Sequence, residues 1–563
     1  MSHRSPRVFE PRFDAVGLIA ATLFAAISLL PSLLPRVPFI QGVATGVTLM
    51  IGYGAGVAAV GVWRYLELPA VRSRKRRWGT LGVTAALALA ALGGSIWQFV
   101  SWQNEIRTAY GMPHLTASVW PMVAGVALIL AIVVLVIGRA LRLLFRKLRD
   151  FLDRWLPRRL AIVLATVGVV LLMWLLISGL LMRGFFFVAN GVFSGADRGD
   201  KPGVEQPMSP LRSGSPESLV AWDDLGRQGR AFVWQGASAE NINEYSGGGA
   251  LEPIRVYVGL RSADTVEERA QLLLEELQRT GAFDREVLVL ATTTGTGWID
   301  QNGVEPVEYM WNGDTAIAGV QYSYLPSWIS LLADQEAVKE SSQVTFRTIY
   351  DYWSTLPDNQ RPRLYLYGLS LGSYGVESIL GSIDIINEPV DGALMVGPPF
   401  VNPLHRDLTD SREKGSTAWL PRVSDGRTVR FTTEADALGE QGERWGPSRL
   451  VYLQHGSDPV VFFSPSLAWN RPAWLESGGR APDVSPRMTW FPVVTMWQTL
   501  LDLPAAESVP AGYGHNYTIR ANLQAWVSIT QVEDWRDTDT LRLTRFLEER
   551  RDEEKSFIDQ LSD

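Results

Sequence analysis

The first 185 residues restrict the fold more than any other part of the chain. They hold five apolar runs, at Ala15–Leu34, Phe39–Trp63, Gly79–Val100, Val119–Ile137 and Leu160–Met182. About 20 apolar residues cross a bilayer as a helix, which satisfies its own backbone where no water can. No Asp, Glu, Lys, Arg or His falls mid-run, so this half reads as an anchor or a lateral lipid platform rather than a transporter path. Trp97, Trp102, Trp120 and Trp155 lie near run ends, as interfacial anchors do. The second run is rich in glycine and is the one expected to depart from a simple helix.

Basic residues separate these runs unevenly. Arg4, Arg7 and Arg12 precede the first; Arg64, Arg72, Arg74, Lys75, Arg76 and Arg77 follow the second; a third group from Arg139 to Arg159 follows the fourth. The other two connections carry Arg36, and Arg107 opposed by Glu105. The positive-inside rule then gives a multi-pass protein with its N-terminus in the cytoplasm, five spans, and the C-terminal part outside. A net charge of −7 argues against a nucleic-acid binder. The chain has no cysteine, which excludes disulfides, thiolate metal sites and a cysteine nucleophile.

The division expected is 1–185 transmembrane helices, 186–250 linker and helical lead-in, and 251–563 a soluble domain with lid-like insertions. Asn190 to Pro216 is rich in Gly, Pro and Ser and reads as a tether. Beyond it, strand and helix patterns alternate. Ile254–Val258, Glu286–Ala291, Ile317–Tyr322, Leu364–Tyr367, Gly392–Val396 and Leu450–Leu453 read as strands. Thr265–Thr280 and Gln335–Leu356 read as helices. Such alternation predicts a mostly parallel sheet covered by helices, with function at the carboxyl ends of the strands. Long irregular stretches follow the strand at 396 and run again from Ser464 to Ser508. The second is aromatic-rich and reads as a lid or acyl groove, or as a buried helix over Met488–Leu503.

The chemistry centres on Gly368-Leu-Ser-Leu-Gly372. An apolar run precedes it and a helix-capable run follows, which is the context of a nucleophile elbow at Ser370. A serine needs a base, and the base needs an orienting acid, in the chain order Ser, acid, His. His515, in the Gly-rich loop Pro510 to Asn516, is the base expected, with His455 as a rival. Asp458, after the strand Leu450–Leu453 and before Pro459, is the acid, with Asp391 as a weaker rival. The oxyanion hole is expected from the backbone N–H of Leu371 and from the loop after an earlier strand, at Gly295 or Thr296. Trp298, Asp300 and Trp497 are candidate substrate contacts. No metal-ligand spacing is present, and no cofactor is implied.

Four stretches carry a family resemblance: Trp222-Asp-Asp-Leu-Gly-Arg-Gln-Gly-Arg230, Thr292-Thr-Thr-Gly-Thr-Gly-Trp298, Gln321-Tyr-Ser-Tyr-Leu-Pro-Ser-Trp328 and Gly368-Leu-Ser-Leu-Gly-Ser373. Through them the chain resembles the bacterial membrane-anchored α/β-hydrolase family, in which several transmembrane helices precede an extracytoplasmic hydrolase domain. The resemblance implies an α/β-hydrolase fold, an all-α transmembrane domain of about five helices, and a serine hydrolase. Some relatives are linked to removal of the aminoacyl group from aminoacyl-phosphatidylglycerol. That implies a membrane-lipid ester as substrate. Asp300, Glu305 or Glu308, named because they follow the oxyanion loop, are the candidates to meet the aminoacyl ammonium. An acyltransferase using the same three residues, and a non-enzymatic scaffold, are the alternatives. Oligomeric state is left open.

Overall fold

A computed structural model describes residues 13–69, 73–333, 335–381, 389–442, 444–476 and 478–562. His3, Arg4, Arg7, Arg12 and Arg72 lie outside the described residues. The chain divides into two compact units. One holds the N-terminal helices together with Phe463–Leu475 and Val484–Ala505; the other holds Gly184–Phe462, Glu476–Asp483 and Ala506–Asp563.

In the helical unit four of the five expected apolar runs are helical along their length. Among the described residues four helices are long and apolar enough to cross a membrane: Pro38–Tyr65, Trp78–Ala109, Ala117–Leu152 and Arg158–Asp197. The first run differs. It is helical only over Ala15–Ser28, 14 residues, or about 21 Å at 1.5 Å per residue. Pro31 and Pro35 lie in the irregular connection that follows. The glycine-rich second run is an unbroken helix of 28 residues. Its glycines serve close packing: a Cβ on Gly56 would come within 2.7 Å of the Gly17 backbone in the first helix. Small residues at a contact let two apolar helices approach closely, which is how such helices associate without a hydrophobic drive.

Part of the aromatic insertion belongs to this unit. Its helix is Val494–Asp502, shorter than expected. Gln498 donates through Nε2 to the carbonyls of Ser28 (3.2 Å) and Leu30 (3.0 Å). The Ser28 carbonyl is one that the end of the first helix leaves without an intrahelical partner. Arg36 pairs with Asp502 at 3.3 Å, both side chains buried, and donates to the Gln498 carbonyl at 3.1 Å. Arg36, counted in the sequence only as a connection charge, is thus a structural partner of the insertion.

The second unit is built on seven strands: β1 Ile254–Val258, β2 Val287–Thr292, β3 Thr315–Val320, β4 Arg363–Leu369, β5 Gly392–Val396, β6 Val429–Thr432 and β7 Arg449–Leu453. Their order is β1-β3-β2-β4-β5-β7-β6, and every pairing is parallel. The strands read as continuous apolar runs because both faces are covered by helices; β1, β3 and β5 are buried at every residue. Helix Val266–Arg279 begins with a capping box between Thr265 and Glu268, which satisfies two N–H groups of its first turn. Elements that were not expected include β6 and the helices Gln301–Met310, Pro403–Asp410 and Asp537–Ser562.

The stretch expected to be a loose tether is not one. The last apolar helix continues to Asp197. Arg230 donates to the carbonyls of Asp197, Arg198 and Gly199. Arg212 does the same for Val233, Trp234, Gly236 and Ala237. Two buried guanidiniums thereby supply the donors that irregular backbone lacks.

Candidate active site

β4 ends at Leu369 and a helix runs from Leu371 to Leu380. Ser370 is the turn between them, at φ 56° and ψ −126°. A non-glycine residue reaches such a conformation only when its surroundings impose it. The Ser370 N–H donates to the Val396 carbonyl at 2.9 Å, and its carbonyl accepts from the N–H (2.8 Å) and Oγ (2.7 Å) of Ser373. A Cβ on Gly372 would come within 2.3 Å of the Thr292 carbonyl, so glycine is required there and the end of β2 abuts the elbow. Leu371, buried, opens the helix, where a backbone N–H has no intrahelical acceptor.

Asp458 follows β7 and is fully buried. Its Oδ1 accepts the Val460 N–H at 2.8 Å. Its Oδ2 lies 2.6 Å from His515 Nδ1 and accepts the Tyr517 hydroxyl at 2.7 Å. His515 is 4% exposed. Its Nε2 is buried and has no hydrogen-bond partner among the described residues. Burial pulls the imidazole pKa down, but the Asp458 carboxylate outweighs it and the net shift is upward. The ring presses on Gly397, where a Cβ would come within 2.4 Å of Cε1. Gly397 follows Val396, the residue that holds the Ser370 N–H. The elbow serine and the imidazole therefore meet two adjacent residues, Val396 and Gly397, at the carboxyl end of β5.

The rivals are engaged elsewhere. His455 Nδ1 lies 2.8 Å from the Gly514 carbonyl and Nε2 lies 2.9 Å from Glu434 Oε1. Both ring nitrogens face acceptors, and the ring stacks on Tyr517 at 4.2 Å. Burial lowers its pKa, but Glu434 reverses this and the net shift is upward. His405 bonds Gln454 at 2.6 Å, and burial lowers its pKa to about 4. Asp391 accepts the Leu364 N–H and precedes β5, at the opposite end of the strands from Ser370. Tyr517 and Glu434 had no motif to announce them. The only signal was position: Tyr517 lies two residues past His515, and its ring carries the hydroxyl back to Asp458.

The loop Thr292–Trp298 lies beside the elbow, as the Thr292 contact shows. Gly295 is corrected as a candidate donor: its N–H donates to Ser327 Oγ at 3.2 Å, because the loop packs against the 325–327 segment. Thr296 lies in the same loop, with its carbonyl accepting Gln321 Nε2 at 3.2 Å. Trp298 is half-buried against the main core. Trp497 belongs to the helical unit.

Of the three carboxylates considered for an ammonium, two are committed. Glu308 pairs with Arg255 at 2.7 Å, both fully buried. Glu305 pairs with Arg551 at 2.8 Å. Asp300 caps the helix Gln301–Met310 through the Asn302 N–H at 3.0 Å. It is buried, and burial raises its pKa to about 6 against the opposing pull of the Arg551 guanidinium; it also interacts electrostatically with His515. Among the described residues no cluster of three or more His, Cys, Asp or Glu is placed to hold a metal ion.

A parallel sheet with a strained serine at the carboxyl end of its central strand, and a buried Asp–His pair beside it, defines the α/β-hydrolase class. The comparisons agree. The chain belongs to an alpha/beta-hydrolase family, whose family model matches residues 254–543. A companion model, the N-terminus of an alpha/beta-hydrolase family, matches residues 29–236. No curated protein and no solved structure matches the chain.

Proposed function

We propose that the protein is a membrane-anchored serine esterase acting on a membrane-lipid ester. The observation that carries this reading is the His515 imidazole. One nitrogen is held by Asp458, the other is buried with no partner among the described residues, and the ring lies against the residue next to the one holding Ser370. Ser370 Oγ attacks the ester carbonyl carbon while His515 Nε2 takes its proton. The tetrahedral oxyanion is met by the Leu371 N–H and by the Thr292–Trp298 loop, with Thr296 as the second donor. Collapse breaks the ester C–O bond, and His515 returns the proton to the leaving alcohol. Water then repeats the sequence on the acyl-serine and regenerates the free hydroxyl. Asp458 holds the imidazole tautomer and stabilises its charged form, and Tyr517 fixes Asp458.

For the substrate we take the aminoacyl ester of aminoacyl-phosphatidylglycerol, on the strength of the family resemblance. The leaving alcohol is then the glycerol of phosphatidylglycerol. Asp300 is the carboxylate uncommitted to an ion pair among the three considered, and it is the group that meets the aminoacyl ammonium. Basic connections favour a cytoplasmic N-terminus and an extracytoplasmic hydrolase domain in the cell membrane. That orientation counts Ala15–Leu34 as a crossing alongside the four longer helices.

The test compares total lipids from cells making wild-type protein or Ser370→Ala. Accumulation of aminoacyl-phosphatidylglycerol with the variant supports the reading. An unchanged ester-lipid profile removes it, and a product found only when an alcohol acceptor is added transfers the site to an acyltransferase.

A further inference from the structure

Three of the four stretches that carry the family resemblance lie outside the Ser–Asp–His constellation, and one carboxylate gathers them. Asp197 is the last residue of the helix that begins in the final apolar run. Its Oδ2 accepts from Arg261 at 2.7 Å. Its Oδ1 accepts from the Arg227 N–H and from Gln321 Nε2, each at 3.2 Å. Gln321 also donates to the Thr296 carbonyl at 3.2 Å, and its Oε1 accepts the Leu260 N–H at 3.1 Å. One amide side chain therefore joins the end of a membrane-type helix to the loop beside the elbow.

The node is built without slack. A Cβ on Gly226 would come within 2.7 Å of the Asp197 carboxylate, and one on Gly297 within 2.8 Å of Gln321 Cγ. The Gly297 carbonyl accepts the Tyr257 hydroxyl at 2.6 Å, and Thr293 Oγ1 donates to the Val320 carbonyl at 2.9 Å. The Gly295 N–H is turned to Ser327 Oγ. The short helix that starts at Ser327 carries Ile329, which packs with Leu325 on Ala189 of the same long helix. Gly226 and Arg227 come from the first shared stretch, Gly295 to Gly297 from the second, and Gln321 to Ser327 from the third.

We propose that Gln321 and Asp197 are positioning residues for the oxyanion loop, fastening Thr292–Trp298 to the end of the last apolar helix. This rests on the esterase reading of the site. Oxyanion donors act only if they are already aimed at the charge that develops, so a loop held at one end of the sheet needs a fixed external point. The Asp197 node is that point. It lies at the last residue of that helix.

The test uses the full chain in detergent–lipid micelles with p-nitrophenyl butyrate as substrate and an alkyl trifluoromethyl ketone as oxyanion-forming inhibitor. Gln321→Met keeps the bulk and removes both donors. It should lower kcat about 10- to 100-fold with KM within about twofold, and weaken the ketone in proportion to kcat/KM. Asp197→Asn, which keeps an acceptor for Arg227 and Gln321, should retain more activity than Asp197→Ala. If Gln321→Met does not fold, Ser327→Ala takes its place and should show the same kcat-only loss. Wild-type kcat and ketone affinity in the folded variants overturn the inference. A purely structural role would lower Tm or active fraction and leave the ketone affinity of the folded fraction unchanged, which also overturns it. Wild-type protein that hydrolyses nothing, or Ser370→Ala with full activity, removes the esterase reading instead.

Discussion

At the residue scale the account rests on one imidazole and the carboxylates near it. His515 acts as a base only when neutral, and its pKa is shifted up because Asp458 stabilises the charged form. Activity should therefore fall as pH drops, with a midpoint above the ordinary histidine value of about 6.5. Asp458→Asn removes the stabilising charge. It should lower kcat about 10³- to 10⁴-fold and move the acid limb to lower pH; a pH–rate profile on both proteins checks it. Asp300, with its pKa raised to about 6, carries its charge at neutral pH. Asp300→Asn should raise KM for a cationic ester about tenfold or more and leave a neutral ester of equal size within about twofold. A paired titration of both esters reads the difference. The turn at Ser370 and the Asp458–His515 contact were legible because the elbow has a local signature, Asp458 follows the end of β7, and His515 is the last histidine, in a Gly-rich loop. Tyr517, Glu434 and Gln321 were not, because each acts through a contact made by distant segments. Glu305 and Glu308 were misjudged for the same reason. A surface carboxylate and one paired with a buried arginine look alike in sequence.

At the scale of elements, strands with both faces buried announce themselves as apolar runs, and six of the seven were legible. β6 was missed because it is four residues long, Val429–Thr432, within a stretch of turn-forming and charged residues. The helix Gln301–Met310 was missed because Gly303 and Pro306 count against a helix. Asp300 as cap and near-complete burial override that propensity. The aromatic insertion was read as a lid or acyl groove, or as a buried helix over Met488–Leu503. It holds a shorter helix, Val494–Asp502, whose Asp502 and Gln498 bind buried groups of the helical unit. Removing one partner of a buried ion pair strands the other charge, at a cost of about 3–5 kcal/mol. Asp502→Ala should therefore lower the thermal midpoint of the helical unit sharply, and the double variant with Arg36→Met should recover part of it. A thermal-shift series in detergent decides this.

At the scale of the whole molecule, two family models cover an N-terminal region of apolar helices and a hydrolase region. Hydropathy alone located the helices. It could not reveal that the first run stops being helical at Ser28, since apolar residues continue past the point where Pro31 interrupts the backbone. The absence of cysteine offers a clean topology test, because each introduced cysteine is the sole thiol. With the orientation proposed here, a cysteine at Ser411 in the hydrolase domain reacts with a membrane-impermeant maleimide on intact cells. One at Arg146, between the fourth and fifth runs, reacts only after lysis. The reverse pattern would place the hydrolase domain in the cytoplasm. The central claim is that Ser370 is an activated nucleophile. Intact-protein mass spectrometry after fluorophosphonate treatment of native membranes tests it directly. One adduct is predicted, mapped to Ser370, lost on heat denaturation and absent from His515→Ala. An unlabelled wild-type protein, or an adduct at another residue while Ser370→Ala retains full activity, would contradict it.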